Sequence, residues 1–116
     1  MIIPQGDTGT FTIPMQGSME ANDKAIISIY DNLTHETVLE KEMTVDEDML
    51  SYTFASEDTA GLEPDDRGSR YSWDITIQRN PLYDGNNELV HYDSVDSYYA
   101  AFSLPPCVIK RVTRNV

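Results

Sequence analysis

The strongest strand signal in this sequence is RYSWDITIQR, which runs from Arg70 to Arg79. Every second residue carries a large apolar side chain, and polar residues fill the positions between them; the apolar ones are Tyr71, Trp73, Ile75 and Ile77. Because successive side chains of a β-strand point to opposite faces, this period of two predicts a strand with one face in a hydrophobic core.

The same alternation recurs on both sides of this segment. Residues 10–15 alternate apolar and polar side chains, and Pro14, which has no amide hydrogen to donate, predicts an edge strand. The continuous apolar run over 25–30 favours a central strand, with 37–45 as its hairpin partner. Further strands are predicted over 50–54, 88–92, 98–104 and 108–113. Turn signals recur roughly every 8–12 residues, so we predict an all-β, Ig-like antiparallel β-sandwich of about 7–9 strands.

One short helical turn is predicted over residues 56–62, SEDTAGL. Ser56 or Asp58 can accept hydrogen bonds from the free amide groups at its start, and Gly61 can end it. We expect such a turn in a β-protein to carry the chain from one sheet to the other. With 116 residues the chain supplies one hydrophobic core, which predicts a single domain over 1–116.

The composition is strongly acidic, with 20 acidic and 8 basic residues and a formal net charge of −12. Such a surface repels nucleic-acid phosphates and anionic membranes, so neither is expected as a partner. No apolar run approaches the roughly 18 residues of a transmembrane helix. The first residues contain neither a basic leader nor an apolar signal core, which favours synthesis in the cytoplasm.

The charges are unevenly distributed along the chain. Residues 20–66 contain 14 acidic residues and two lysines, whereas residues 105–116 contain three basic residues and no acid. This basic tail can dock on a neighbouring subunit, or it can be an ordinary solvated final strand. An edge strand over 10–15 would likewise be free to pair with a neighbour. The candidate partner-binding residues are therefore Phe11, Ile13, Lys110, Arg111 and Arg114.

No catalytic motif is recognisable. Neither histidine, His35 or His91, stands at a recognisable spacing from a nucleophile, and no Gly-rich loop precedes a helix. Cys107 is the single cysteine, so no intrachain disulfide can form, and a free cysteine is usually a buried thiol. We predict that the chain is not an enzyme and needs no cofactor.

Three acidic loops, over 46–48, 65–66 and 84–88, raise the question of a metal site, because hard cations bind clustered oxygen ligands. None of them has the interleaved carboxylates and distal glutamate of the twelve-residue calcium loop. Loop carboxylates usually form solvated turns, so no metal site is predicted.

Two segments resemble a known family. Residues 2–13, IIPQGDTGTFTI, contain a short strand, a Gly-Asp turn and an alternating Phe-x-Ile strand. Residues 54–62, FASEDTAGL, are followed by YSWDI at 71–75. Both segments are similar to regions of the amino-terminal domain of baseplate upper proteins from phages of Gram-positive bacteria. The order of elements agrees along most of the chain, and the motif-level likeness lies in these two segments.

The resemblance implies an Ig-like assembly domain of a phage or prophage virion, in a tail, baseplate or neck. It also implies other tail proteins and further copies of the chain as partners, and a location in the virion after assembly in the host cytoplasm. Baseplate upper proteins continue into long helical and receptor-proximal regions, so the resemblance here covers the assembly domain alone. The alternative is a carbohydrate- or cell-surface-binding β-sandwich, in which loop acids bind calcium and Trp73 or tyrosines stack on a sugar.

Overall fold

The computed structural model describes residues 1–99 and 104–112. Within these ranges the chain forms eleven strands and one short helix. They are β1 (Ile2–Pro4), β2 (Thr10–Pro14), β3 (Lys24–Asp31), β4 (Glu36–Glu42), β5 (Thr44–Asp46), β6 (Met49–Thr53), α1 (Ser56–Ala60), β7 (Tyr71–Arg79), β8 (Leu82–Tyr83), β9 (Leu89–His91), β10 (Ser94–Ser97) and β11 (Pro106–Lys110).

The strands form two main sheets. The large sheet has the order β1-β11-β7-β3-β4, with β10 also pairing with β7, and the small sheet has the order β2-β6-β5. Strands β8 and β9 form a separate hairpin. The predicted all-β sandwich is confirmed, with two differences. Several short strands raise the count above the predicted 7–9, and β1 runs parallel to β11 rather than antiparallel.

The core lies between the two sheets and is built from the inward faces of β3, β7 and β11 together with residues of the small sheet. Ile27, Ile75 and Leu50 are each 0% exposed, and Leu50 belongs to the small sheet. Trp73 is packed edge-on against Phe11 and Tyr99, with ring centroids 5.3 Å apart in both pairs. The period of two in β7 therefore predicted the inward face correctly.

The prediction of a single strand over 37–45 is wrong. β4 ends at Glu42 and β5 begins at Thr44 in the other sheet, so the chain crosses between sheets at Met43. Met43 is buried, and its amide donates to the carbonyl oxygen of Ala25 at 2.8 Å. Because Met43 is itself a core residue, the apolar pattern continues through the crossing and conceals it.

The predicted helical turn is confirmed as α1, and it carries the chain from β6 in the small sheet towards β7 in the large one. Its N-cap is Ala55, not Ser56 or Asp58. Asp58 instead accepts the Ala55 amide at 2.9 Å and the hydroxyl of Tyr52. Burial, and then the bond to Asp58, raise the pKa of Tyr52 above its usual value. The carboxylate thereby joins the helix to β6.

Three glycines of the described residues, Gly6, Gly17 and Gly68, have a positive φ that other residues rarely adopt, and two of them lie before a strand. Gly6 (φ 80°) turns the chain between β1 and β2, and Gly68 (φ 75°) precedes the entry into β7. A side chain at Gly68 would also lie 3.2 Å from Cγ2 of Val108. Gly61, by contrast, ends α1 at φ −89° and needs no such freedom.

The return strand predicted over 88–92 is placed differently in the structure. β9 pairs with β8, and it is β10 that pairs with β7, from Ser94 opposite Arg79 to Ser97 opposite Thr76. Tyr98 and Tyr99 follow β10 as a bend, and the rest of the predicted 98–104 strand lies largely outside the described residues. The final strand is present as β11.

Candidate interaction surfaces

The two predicted partner-binding residues of β2 face the interior. Phe11 and Ile13 are half-buried and pack against the core. β2 is an edge of the small sheet, as Pro14 predicted. A partner strand would therefore meet the backbone of β2, while the side chains of Phe11 and Ile13 support the fold.

The basic residues near the carboxyl end are exposed. Lys110 ends β11, its carbonyl oxygen accepts the Gln5 amide at 2.8 Å, and Arg111 donates its amide to Oδ1 of Asp66 at 3.3 Å. These bonds fix the backbone and leave both side chains in solvent. Arg114 lies outside the described residues.

Apolar side chains lie beside these charges. Ile3 and Ile109 point into the core, so the alternation along β1 and β11 places Ile2 and Lys110 on the outward side of this parallel pair. Ile2 is 69% exposed and Val112 is 49% exposed. We call Ile2, Lys110, Arg111 and Val112 the basic face.

A second exposed surface is the segment 80–96, which we call the hairpin arm. It contains six of the ten large apolar side chains that are exposed in the described residues: Leu82, Tyr83, Leu89, Val90, Tyr92 and Val95. It also carries four acidic residues and no lysine or arginine. The arm is therefore both apolar and negatively charged.

The turn of the hairpin arm is organised by Asp84. Oδ1 of Asp84 accepts the amides of Asn86 and Glu88 at 2.8 and 3.0 Å, and the Asp84 amide donates to the Glu88 carbonyl at 2.9 Å. Asn87 completes the turn at φ 60°, a conformation that asparagine tolerates. Asp-Gly, here Asp84-Gly85, is a common turn dipeptide, so a local signal accompanies this turn, whereas none indicates the exposed surface around it.

The base of the arm is held by a charge network at the end of β7. Arg79 donates to Asp23 at 2.9 Å, to Asp96 at 2.8 Å and to the carbonyl oxygen of Ser18 at 2.7 Å. The pKa of Asp23 lies below its usual value because the backbone amides of Glu20 and Asn80, and then Arg79, donate to its carboxylate. Several bonds therefore hold the arm in place against the sandwich.

A cation–π contact adds to this anchor. Nζ of Lys24 lies 4.3 Å from the ring centroid of Tyr83 and 3.2 Å from Oε1 of Glu42. The bond to Glu42 is the main reason why the pKa of Lys24 is raised. Tyr83 is thus tied to β3 on one side of its ring and remains 39% exposed.

Elsewhere, the polar cluster around Asp31 and Arg70 serves the fold. Asp31 accepts two hydrogen bonds from Arg70, at 3.0 Å from Nη2 and 3.2 Å from Nε, and also accepts the amides of Leu33 and Thr34. Asp65, on the rim of a neighbouring cavity of about 390 Å³, accepts the amides of Arg67, Ser69 and Arg70. These carboxylates organise loops with their oxygens.

The single cysteine is a buried thiol, as expected from the sequence. Cys107 is 0% exposed, and burial raises the pKa of its thiol to about 11, so it is neither accessible nor ionised at neutral pH. In the described ranges, no group of three or more histidine, cysteine, aspartate or glutamate side chains is placed to hold a metal ion.

Among the described residues, no helix has the length and apolar character needed to cross a membrane. The chain matches no protein-family model, no curated protein and no solved structure.

Proposed function

We propose that this chain is a non-enzymatic structural module of a phage or prophage virion, in a tail, baseplate or neck, and that it acts through protein–protein contacts. The observation that carries the proposal is the hairpin arm with its six exposed large apolar side chains. Exposed large apolar side chains concentrated in one segment favour a site of interaction with another protein. Docking of a partner would remove these side chains from water.

The segments that resemble baseplate upper proteins support the virion assignment. Gly6 makes the turn that leads into β2, α1 crosses from the small sheet towards the large one, and β7 lies in the middle of the large sheet. The fold supplies a rigid scaffold for assembly, and the resemblance supplies the kind of assembly. The proposed partners are other virion proteins and further copies of the chain, and the proposed location is the virion.

The carbohydrate-binding alternative has less support. Trp73 is only 6% exposed and is packed between Phe11 and Tyr99, so its ring faces are not open to a sugar. In two of the three acidic loops considered for calcium, Asp65 and Asp84 accept backbone amides within their own loops. The burial of Trp73 and these loop hydrogen bonds favour the assembly proposal over the sugar-binding one.

The experiment that tests the proposal is quantitative mass spectrometry of virus particles purified from the source on a density gradient. We expect peptides of this chain to follow the other structural proteins of the particle at a constant ratio. Recovery of the chain only in the soluble fraction would contradict the proposal. A glycan array read with and without calcium tests the alternative, and specific binding there would favour a cell-surface function.

A further inference from the structure

The hairpin arm and the basic face are complementary in chemistry. The arm, residues 80–96, carries Asp84, Glu88, Asp93 and Asp96, of which Asp96 is paired with Arg79 at the base of the arm. The basic face carries Lys110 and Arg111, and its acidic neighbour is Asp66, whose Oδ1 accepts the amide of Arg111. Both surfaces also expose large apolar side chains, of which Val90 at 67% and Ile2 at 69% are the most exposed on their respective surfaces.

The two surfaces follow opposite ends of β7. The arm begins just after Arg79, the last residue of β7. At the other end Cys107 pairs with Tyr71, and β11 then continues away from β7 as far as Lys110. The nine residues of β7 span about 26 Å at about 3.3 Å per residue. The arm of one copy therefore emerges far from the basic face of the same copy.

We propose that the hairpin arm of one copy docks on the basic face of the next, so that the chain assembles head to tail. This inference rests on the proposed assembly function and names a second copy of the chain as the partner. Two different surfaces make such a contact heterologous, and repeated heterologous contacts close into a ring or continue as a filament. The apolar side chains supply affinity, and the opposite charges set the orientation of the two copies.

The contact can be broken from either side with substitutions at exposed positions. Val90→Lys places a cation on the arm, where it repels the basic face, and Lys110→Glu reverses the charge of the basic face. The matched controls are Leu33→Lys, which adds a lysine at another exposed apolar residue (71% exposed), and Lys41→Glu, which reverses an exposed lysine on β4. Leu82→Lys and Arg111→Glu replace the two interface variants if either of these fails to fold.

Sedimentation and native mass spectrometry measure the outcome. We expect the wild-type chain to form species larger than a dimer. Each interface variant should raise the dissociation constant of the contact about tenfold, which corresponds to a loss of about 1.4 kcal/mol of binding free energy. Both control variants should associate like the wild type. Since opposite charges are screened by salt, 0.5 M NaCl should weaken association of the wild type.

Mixing the two interface variants gives the decisive result. The Lys110→Glu copy retains an intact arm and the Val90→Lys copy retains an intact basic face, so an equimolar mixture should form a 1:1 pair and associate more tightly than either variant alone. Three results would overturn the head-to-tail contact: a mixture that stays monomeric, a wild type that is only a monomer or a closed dimer, or control variants that lose as much affinity as the interface variants.

The failures of the two proposals are distinguishable. Presence of the chain in purified particles together with a monomeric mixture would refute the head-to-tail contact and leave the virion function standing. Absence from particles together with a 1:1 pair in the mixture would refute the virion function and leave the contact between copies standing.

Discussion

Replacement of Leu50 by alanine should cost this fold about 3.5 kcal/mol of unfolding free energy. Leu50 is fully buried and is the residue of β6 that the small sheet inserts deepest into the core. Leu50→Ala removes three carbon atoms, worth about 2.4 kcal/mol at about 0.8 kcal/mol per buried methylene. A residual cavity of about 45 Å³ adds about 1.1 kcal/mol at about 24 cal/mol per Å³.

Urea unfolding followed by the fluorescence of Trp73, the single tryptophan, measures this loss. With an m-value of about 1.5 kcal/mol per M, the unfolding midpoint should fall by about 2.3 M. The matched control is Leu33→Ala, because Leu33 is 71% exposed and its truncation should change stability by less than about 0.5 kcal/mol. If Leu50→Ala were no more destabilising than Leu33→Ala, the two sheets would not pack on this residue as described.

Three further predictions follow from single residues. The hydrogen bond from Arg70 is the main reason why the pKa of Asp31 lies below its usual 3.8. The stability that the Asp31 carboxylate contributes is therefore complete above about pH 4 and is lost as the pH falls through the folded pKa. Asp31→Asn should consequently make the free energy of unfolding less dependent on pH below pH 4. Urea unfolding at pH 2–5 measures this, and parallel pH curves for the wild type and the variant would contradict it. Gly68→Ala, at φ 75°, should destabilise by more than about 1 kcal/mol in urea, whereas Gly61→Ala, at φ −89°, should be nearly neutral; equal effects would show that Gly68 is not constrained. Cys107, with its buried thiol and a pKa of about 11, should react with a disulfide reagent at pH 8 only after unfolding, and fast reaction in native buffer would refute that burial.

Local periodicity predicted most of the framework. β7 was predicted with its inward face because its large apolar side chains alternate with polar ones, and β3 was predicted as a central strand because its apolar run is continuous. α1 was predicted because Ser56 or Asp58 can cap the start of a helical turn and Gly61 can end it, and these are local signals. Such features depend on neighbours within a few residues of sequence.

The features that the sequence did not predict depend on residues distant in the chain. Met43 is apolar whether it continues a strand or crosses between sheets, so its side chain does not reveal the crossing. The apolar residues of the hairpin arm read as an ordinary return strand, because their exposure follows from the absence of a covering element among the described residues. Phe11 and Ile13 were predicted as partner-binding residues on an edge strand, and the structure directs their side chains towards Trp73 and the core.

The Arg79 network shows how the arm and the fold are connected. Arg79 ends the central strand and donates to Asp23 before β3 and to Asp96 in β10, so one guanidinium ties the base of the arm to the two strands that lie beside this end of β7. Of these two carboxylates, only that of Asp23 is buried, with 4% of its side chain exposed. The arm is thus presented from the rigid part of the sandwich, which suits it to docking on a partner.

Analytical ultracentrifugation of the purified chain from about 1 to 200 μM, at 0.05 and 0.5 M NaCl, tests the central claim of an assembly module most directly. The head-to-tail contact predicts species larger than a dimer that grow with concentration and dissociate at high salt. A strict monomer over the whole range at both salt concentrations would contradict self-assembly through the arm and the basic face.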